Sequence, residues 1–151
     1  MIRDSDERLY ARLIDGLYVE AMLLADEARA YFDQVGRTER EMLDPLVRVG
    51  FSCESLKVTT RLMHVIAWLL TQRAVGAGEL QPGEALHPSR RLGEAPVSDL
   101  AVRSALPPRA LALIADSEDL HRRVARLDGA QGVRSMPSPA RSMQERLALS
   151  F

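Results

Sequence analysis

The chain has 151 residues, 46% of them apolar, which is enough to build the core of one ordinary domain. Its 20 basic and 21 acidic side chains leave a net charge of -1, and only 5% of residues are aromatic, so the field and the stacking surfaces that nucleic-acid binding relies on are both missing. A single cysteine, Cys53, excludes an internal disulfide framework and fits a reducing compartment.

Residues 1–7 carry charges of both signs and no apolar run follows them, so the sequence reads as cytoplasmic, without a secretory signal. From Asp6 to Val35, the residues Tyr10, Ile14, Leu17, Ala21, Leu24, Ala28, Tyr31 and Val35 recur at alternating spacings of four and three. That period predicts a first helix with one apolar seam, opened by Asp4, Ser5 or Asp6 and closed by Gly36. Thr38 and Glu41 fit a capping box for the next helix. Pro45 is tolerated only in a first turn, so either that helix starts with Asp44 as cap or a short turn precedes a kink; the favoured span is Asp44 to Val75.

The second helix carries two stripes. Met42, Leu46, Val49, Cys53, Leu56, Thr60, Met63, Ala67, Leu70 and Ala74 keep the four-three alternation without a slip, straight through Gly50. Phe51, Val58, Leu62, Val65 and Leu69 lie nearly opposite at about 100° per residue. The most apolar stretch, Leu62 to Leu70, is broken by His64 and flanked by Arg61 and Arg73, far short of the ~20 residues that span a bilayer. Residues 76–105 are rich in glycine and proline and form a long connection, with one helical turn expected after Ser98. Pro107-Pro108 opens a third helix with the seam Ala110, Leu113, Ser117, Leu120, Val124 and Leu127, ending at Asp128-Gly129. Residues 129–151, with Met136-Pro137-Ser138-Pro139 and a short amphipathic end at Leu147 and Phe151, read as a flexible tail. The expected architecture is all-α: a three-helix bundle over residues 1–128, with two long helices and one shorter.

In such a bundle each helix needs one apolar sector, because both neighbours lie on the same side of its axis. A second stripe left in water calls for a further partner, and a second copy of the chain is the simplest one. The expectation is a homodimer built on Phe51, Val58, Leu62, Val65 and Leu69; the alternative is that the first and third helices straddle the second and cover both faces.

Chemistry is thin. Cys53 sits on a seam, where a thiol behaves as a buried hydrophobe. His64, His87 and His121 have no carboxylate or histidine at metal-ligand spacing, so no metal or other cofactor is expected. Gly76-Ala77-Gly78 lacks the strand and the Lys-Ser/Thr of a phosphate-cradling loop. Arg122, Arg123 and Arg126 share their helix with Glu118 and Asp119, a mixed face rather than a phosphate-binding one. The chain reads as a non-enzyme. Polar residues interrupting the apolar helix, Arg61, Gln72 and Arg73, together with Arg90 and Arg91 in the connection, are the candidate partner contacts; charges flanking a helix and a solvated linker are the plainer account of each.

The run from Glu54 to Val75, with Thr59-Thr60-Arg61-Leu62-Met63 and Trp68-Leu69-Leu70-Thr71-Gln72-Arg73-Ala74, resembles the alphaproteobacterial family named for the regulator of CtrA degradation, RcdA. Glu20 to Arg29, Leu106-Pro107-Pro108-Arg109 and Arg123 to Asp128 agree with it, so the likeness spans roughly Leu17 to Asp128. The resemblance implies a dimeric three-helix adaptor for the ClpXP protease, working with the response-regulator-like adaptor CpdR to deliver substrates such as CtrA. Tethering requires surfaces rather than reactive groups, which matches the lack of a catalytic motif. A small helical transcription regulator, or a non-catalytic subunit of a larger complex, is the alternative.

Overall fold

A computed structural model describes residues 2–135 and 139–150. In chain order it contains α1 (Ile2–Asp33), α2 (Val35–Glu41), α3 (Pro45–Gly76), α4 (Pro82–Ala85), a 3-10 turn (Pro88–Arg90), α5 (Leu100–Arg103), α6 (Pro108–Ser135) and α7 (Pro139–Leu149). No strand occurs among the described residues. Helices α1, α3 and α6, of 32, 32 and 28 residues, make the bundle. They are about 48, 48 and 42 Å long at 1.5 Å per residue.

The seam of α1 folds as its period requires: Ile14, Leu17, Ala21, Leu24, Ala28 and Tyr31 are all buried. Its last expected member, Val35, is exposed, because α1 ends at Asp33 and a separate short helix follows. Gly36 does not cap α1. It is buried in α2, where an added Cβ would sit 2.8 Å from the Tyr31 carbonyl oxygen, so glycine lets α2 fold back closely on α1. The expected capping box lies inside α2 as well, and Glu39 accepts a short hydrogen bond from the Tyr31 hydroxyl. Asp44 stands at the N-cap of α3 with Pro45 in the first helical turn, as favoured from the sequence. Helix α3 passes straight through Gly50, whose added Cβ would be 2.2 Å from Val102 Cγ1; α5 therefore packs against bare backbone there. Beyond α3, Gly78 takes the left-handed conformation at φ 76 and lets the Glu79 amide donate back to the Ala74 carbonyl at 2.9 Å.

Two expectations are corrected here. Phe51, Val58, Leu62, Val65 and Leu69 are 0–3% exposed inside a single chain, packed with the α1 and α6 seams in one core. A second copy cannot reach them, because α1 and α6 already cover that side of α3. The opposite stripe, read as a core seam, is the one in water. The second correction concerns the end of the bundle: α6 does not stop at Asp128-Gly129 but runs to Ser135, and α7 forms a further helix. Of the remaining tail features, Met136-Pro137-Ser138 and Phe151 lie outside the described residues.

The connection over residues 77–107 is fastened at short intervals to α3 and α6. Arg91 forms a forked ion pair with Asp128 (Nε to Oδ1 2.7 Å, Nη2 to Oδ2 3.1 Å), and the same carboxylate accepts from Trp68 Nε1 at 3.0 Å. Gly93 and Glu94 offer their carbonyls to His121 Nε2 at 2.8 Å and His64 Nδ1 at 2.9 Å, so each of those ring nitrogens carries a proton. Arg103 pairs with Glu118 at 2.8 Å. The expected turn after Ser98 is α5, whose first amides are capped by the Asp99 side chain at 3.0 Å from the Ala101 nitrogen.

Candidate partner-binding surface

The outer face of α3 is an unbroken apolar stripe in water. Leu46 is 87% exposed, Val49 62%, Leu56 67%, Met63 64% and Leu70 46%, with Cys53 and Ala67 exposed between them. Cys53 is thus a surface thiol, not the buried one its seam suggested. From Leu46 to Leu70 the stripe is about 36 Å long. Its alternating spacing of four and three is the 3.5-residue period that lets a helix keep one edge against another helix. No charged residue interrupts it: Thr60 is the polar member, and its hydroxyl is turned onto the Leu56 carbonyl at 3.0 Å, which lowers its demand for water. A connected apolar strip of this length is more than proteins that stay monomeric in water commonly leave uncovered.

Most of the residues singled out for partner contact are used inside the fold. Arg61 is completely buried; it donates to the Pro96 carbonyl at 2.9 Å and to Ser117 Oγ at 3.3 Å, and its Nε has no partner among the described residues. Burial pulls its guanidinium down from the usual arginine value, against the opposing pull of Glu118 and Glu54. Gln72 is buried as well, its Oε1 accepting from Tyr10 at 2.8 Å and from Gln131 at 2.6 Å. Arg73 pairs with Asp15 at 3.3 Å and lies 4.6 Å over the Tyr18 ring, and Arg91 is held by Asp128. Among the described residues, Arg90 alone of the five is exposed with only a backbone bond, from its amide to the His87 carbonyl.

Glu54, next to Arg61 in the interior, was not foreseen. It is 1% exposed and accepts from Ser98 Oγ at 2.8 Å, the Asp99 amide at 2.8 Å and Lys57 Nζ at 3.2 Å. Burial alone would raise its carboxyl; the Asp99 amide, Ser98 and Lys57 outweigh that and hold it below the ordinary carboxylate value. Glu54 and Arg61 thus form a polar staple binding the connection to the bundle. The one hint in the sequence was opposite charges seven residues apart on an apolar helix, two turns along a single face.

No cluster of metal-ligating side chains occurs among the described residues, and no helix there is long and apolar enough to cross a membrane. Two open grooves flank the outer stripe. One, of about 340 Å³, lies where α1, α2 and α3 meet; the other, of about 790 Å³, lies between the second half of α3 and residues 88–94.

The chain is an all-α bundle whose buried polar side chains bond within the fold and whose α3 leaves an apolar face exposed. The chain matches, over residues 5–151, the model of a family described as protein of unknown function DUF1465. It is also similar to the solved structure of RcdA from Caulobacter crescentus CB15, with 36% sequence identity, a TM-score of 0.65, and 79% of this chain and 90% of that one covered. No curated protein matches it. The chain belongs to the DUF1465 family, the family of RcdA.

Proposed function

We propose that this protein is a non-enzymatic, cytoplasmic adaptor that tethers substrates to the ClpXP protease together with a CpdR-like partner, with regulators such as CtrA among its clients. The observation that carries the reading is the uncharged outer stripe of α3. A tether works by raising the local concentration of a client at the protease, which needs a persistent contact surface and no reactive group. Membership of the RcdA family supports the same role. The stripe also suits a homodimer: two copies related by a two-fold axis would set one α3 seam against the other, burying Leu46, Val49, Leu56, Met63 and Leu70. The dimer face is therefore proposed on the side opposite to Phe51, Val58, Leu62, Val65 and Leu69. Arg90, exposed at the end of its turn, is the one of the five candidate contacts whose side chain is not bonded to another described residue.

A reconstituted degradation assay tests the function. Purified ClpXP, a CpdR-like partner and a candidate client such as CtrA should turn the client over faster when this chain is present. Leu56→Asp together with Met63→Asp should abolish the acceleration while leaving the helical content intact. Unchanged turnover with the wild-type chain would overturn the reading.

A further inference from the structure

The smaller groove has the chemistry of a peptide site. Half-buried Phe32 offers its ring at the floor, braced edge to face by the buried Phe51 ring with centroids 5.6 Å apart. Gly36 closes one side, and Ser52, Ser55 and Leu56 the other. Arg37 and Arg40 stand at the rim, both exposed. Arg40 is oriented by Ser52, its Nη1 donating to Oγ at 3.3 Å, and Arg37 forms no ion pair with any described residue. No acidic side chain lines the groove.

The molecule spends some of its arginines on its own carboxylates and leaves others unpaired among the described residues. With a net charge of -1 it balances many of its arginines internally: Arg73 with Asp15, Arg91 with Asp128, Arg103 with Glu118, Arg123 with Glu20. The larger groove differs in having a carboxylate, Glu94, in its lining beside Arg90, while its Arg91 is committed to Asp128. In the smaller one, two exposed guanidinium groups without a carboxylate partner among the described residues stand beside the Phe32 ring. A fork selects a carboxylate, and a floor of this kind selects a large apolar side chain. Leu56 belongs to both the groove and the outer stripe of α3, so a chain leaving the groove runs directly onto that stripe.

We propose that the groove between α1, α2 and α3 captures client polypeptides through a short segment in which an acidic residue adjoins a large aliphatic or aromatic one, with Arg37 and Arg40 holding the carboxylate. The proposal rests on the adaptor reading and names the chemistry of its client. Arrays of immobilised decapeptides test it, probed with the intact labelled chain: one set pairs Asp or Glu with Leu, Ile or Phe, a second replaces the acid by Lys, and a third replaces the apolar residue by Ala. Only the first set should retain the chain. For its best member, fluorescence anisotropy should show affinity falling about tenfold or more in Arg37→Glu/Arg40→Glu and by a smaller factor in Arg37→Lys, which keeps the charge but not the fork. Val133→Ser, exposed near the end of α6 and outside both the groove and the stripe, should bind as wild type. Equal retention of the lysine set, undiminished binding by a charge-reversed variant with wild-type circular dichroism, or no retention at all would overturn the proposal. A charge reversal that halves the sedimenting mass would do so too, by assigning the groove to a contact between copies. Because no protease is present, peptide binding without accelerated degradation would sink the adaptor reading and leave the groove standing.

Discussion

The inner and outer faces of α3 are built from similar apolar residues and meet opposite fates. The inner face puts Phe51, Val58, Leu62, Val65, Trp68 and Leu69 in the core with Glu54 and Arg61 among them, whereas the outer face exposes Leu46, Val49, Cys53, Leu56, Met63 and Leu70. The difference lies in what surrounds each side chain. Inside, the bulkier residues are fitted between α1 and α6, and the two charges are each bonded to the returning connection; outside, unbranched Met, small Ala and Cys, and Thr make a smoother strip with no internal partner. One face holds the fold together. The other lies in water and is the face proposed for association.

Three substitutions sharpen that contrast, in decreasing order of expected effect on stability. Trp68→Ala removes the largest inner side chain and a hydrogen bond to Asp128, so urea unfolding should show a loss of about 3–5 kcal/mol. A loss under 1 kcal/mol would mean that the inner face is not tightly packed. Glu54→Gln keeps the shape but removes the charge that Ser98, the Asp99 amide and Lys57 stabilise, for a loss of about 2 kcal/mol at neutral pH. Its signature is the pH profile. The folded carboxyl lies below its ordinary value of 4.5, so its contribution is complete above that pH and is lost as the pH falls through the folded value. Wild-type stability should therefore drop more steeply below about pH 4.5 than that of Glu54→Gln; parallel profiles would show that the carboxylate does not hold the connection. Leu56→Ser, on the outer face, should change the stability of the isolated chain by no more than about 0.5 kcal/mol. A larger loss at concentrations where the chain is monomeric would place Leu56 in the fold.

The contrast between the faces also marks how far the sequence could be read. The α1 seam, the start of α3 at Pro45, the turn after Ser98 and the α6 seam from Ala110 to Val124 all follow from local rules of period, cap and proline placement, and the structure has them. Which stripe of α3 faces inward does not. Both stripes have helical spacing, and periodicity reports that a face is apolar, not what covers it. Trp68 was the available signal, since it falls on the Phe51-to-Leu69 side and is the residue an interior most readily surrounds. Arg61 and Gln72 looked like surface contacts because charge or amide on an apolar helix usually points to water; their partners at Pro96, Ser117, Tyr10 and Gln131 lie 35 to 62 positions away. Arg91 met the same difficulty, with Asp128 37 positions further on. The groove of Arg37 and Arg40 was hidden for another reason: Thr38 to Glu41 mimicked the opening of a long helix, while Gly36, read as a cap, actually lets a separate short helix fold back.

Sedimentation equilibrium of the full chain at micromolar concentration, beside Leu56→Asp, probes the outer face most directly. The wild type should sediment at twice its 16.8 kDa, and the variant at a single chain's mass with unchanged circular dichroism. A wild-type mass of one chain throughout the concentration range, or a variant that stays double, would contradict the assignment of this face to association.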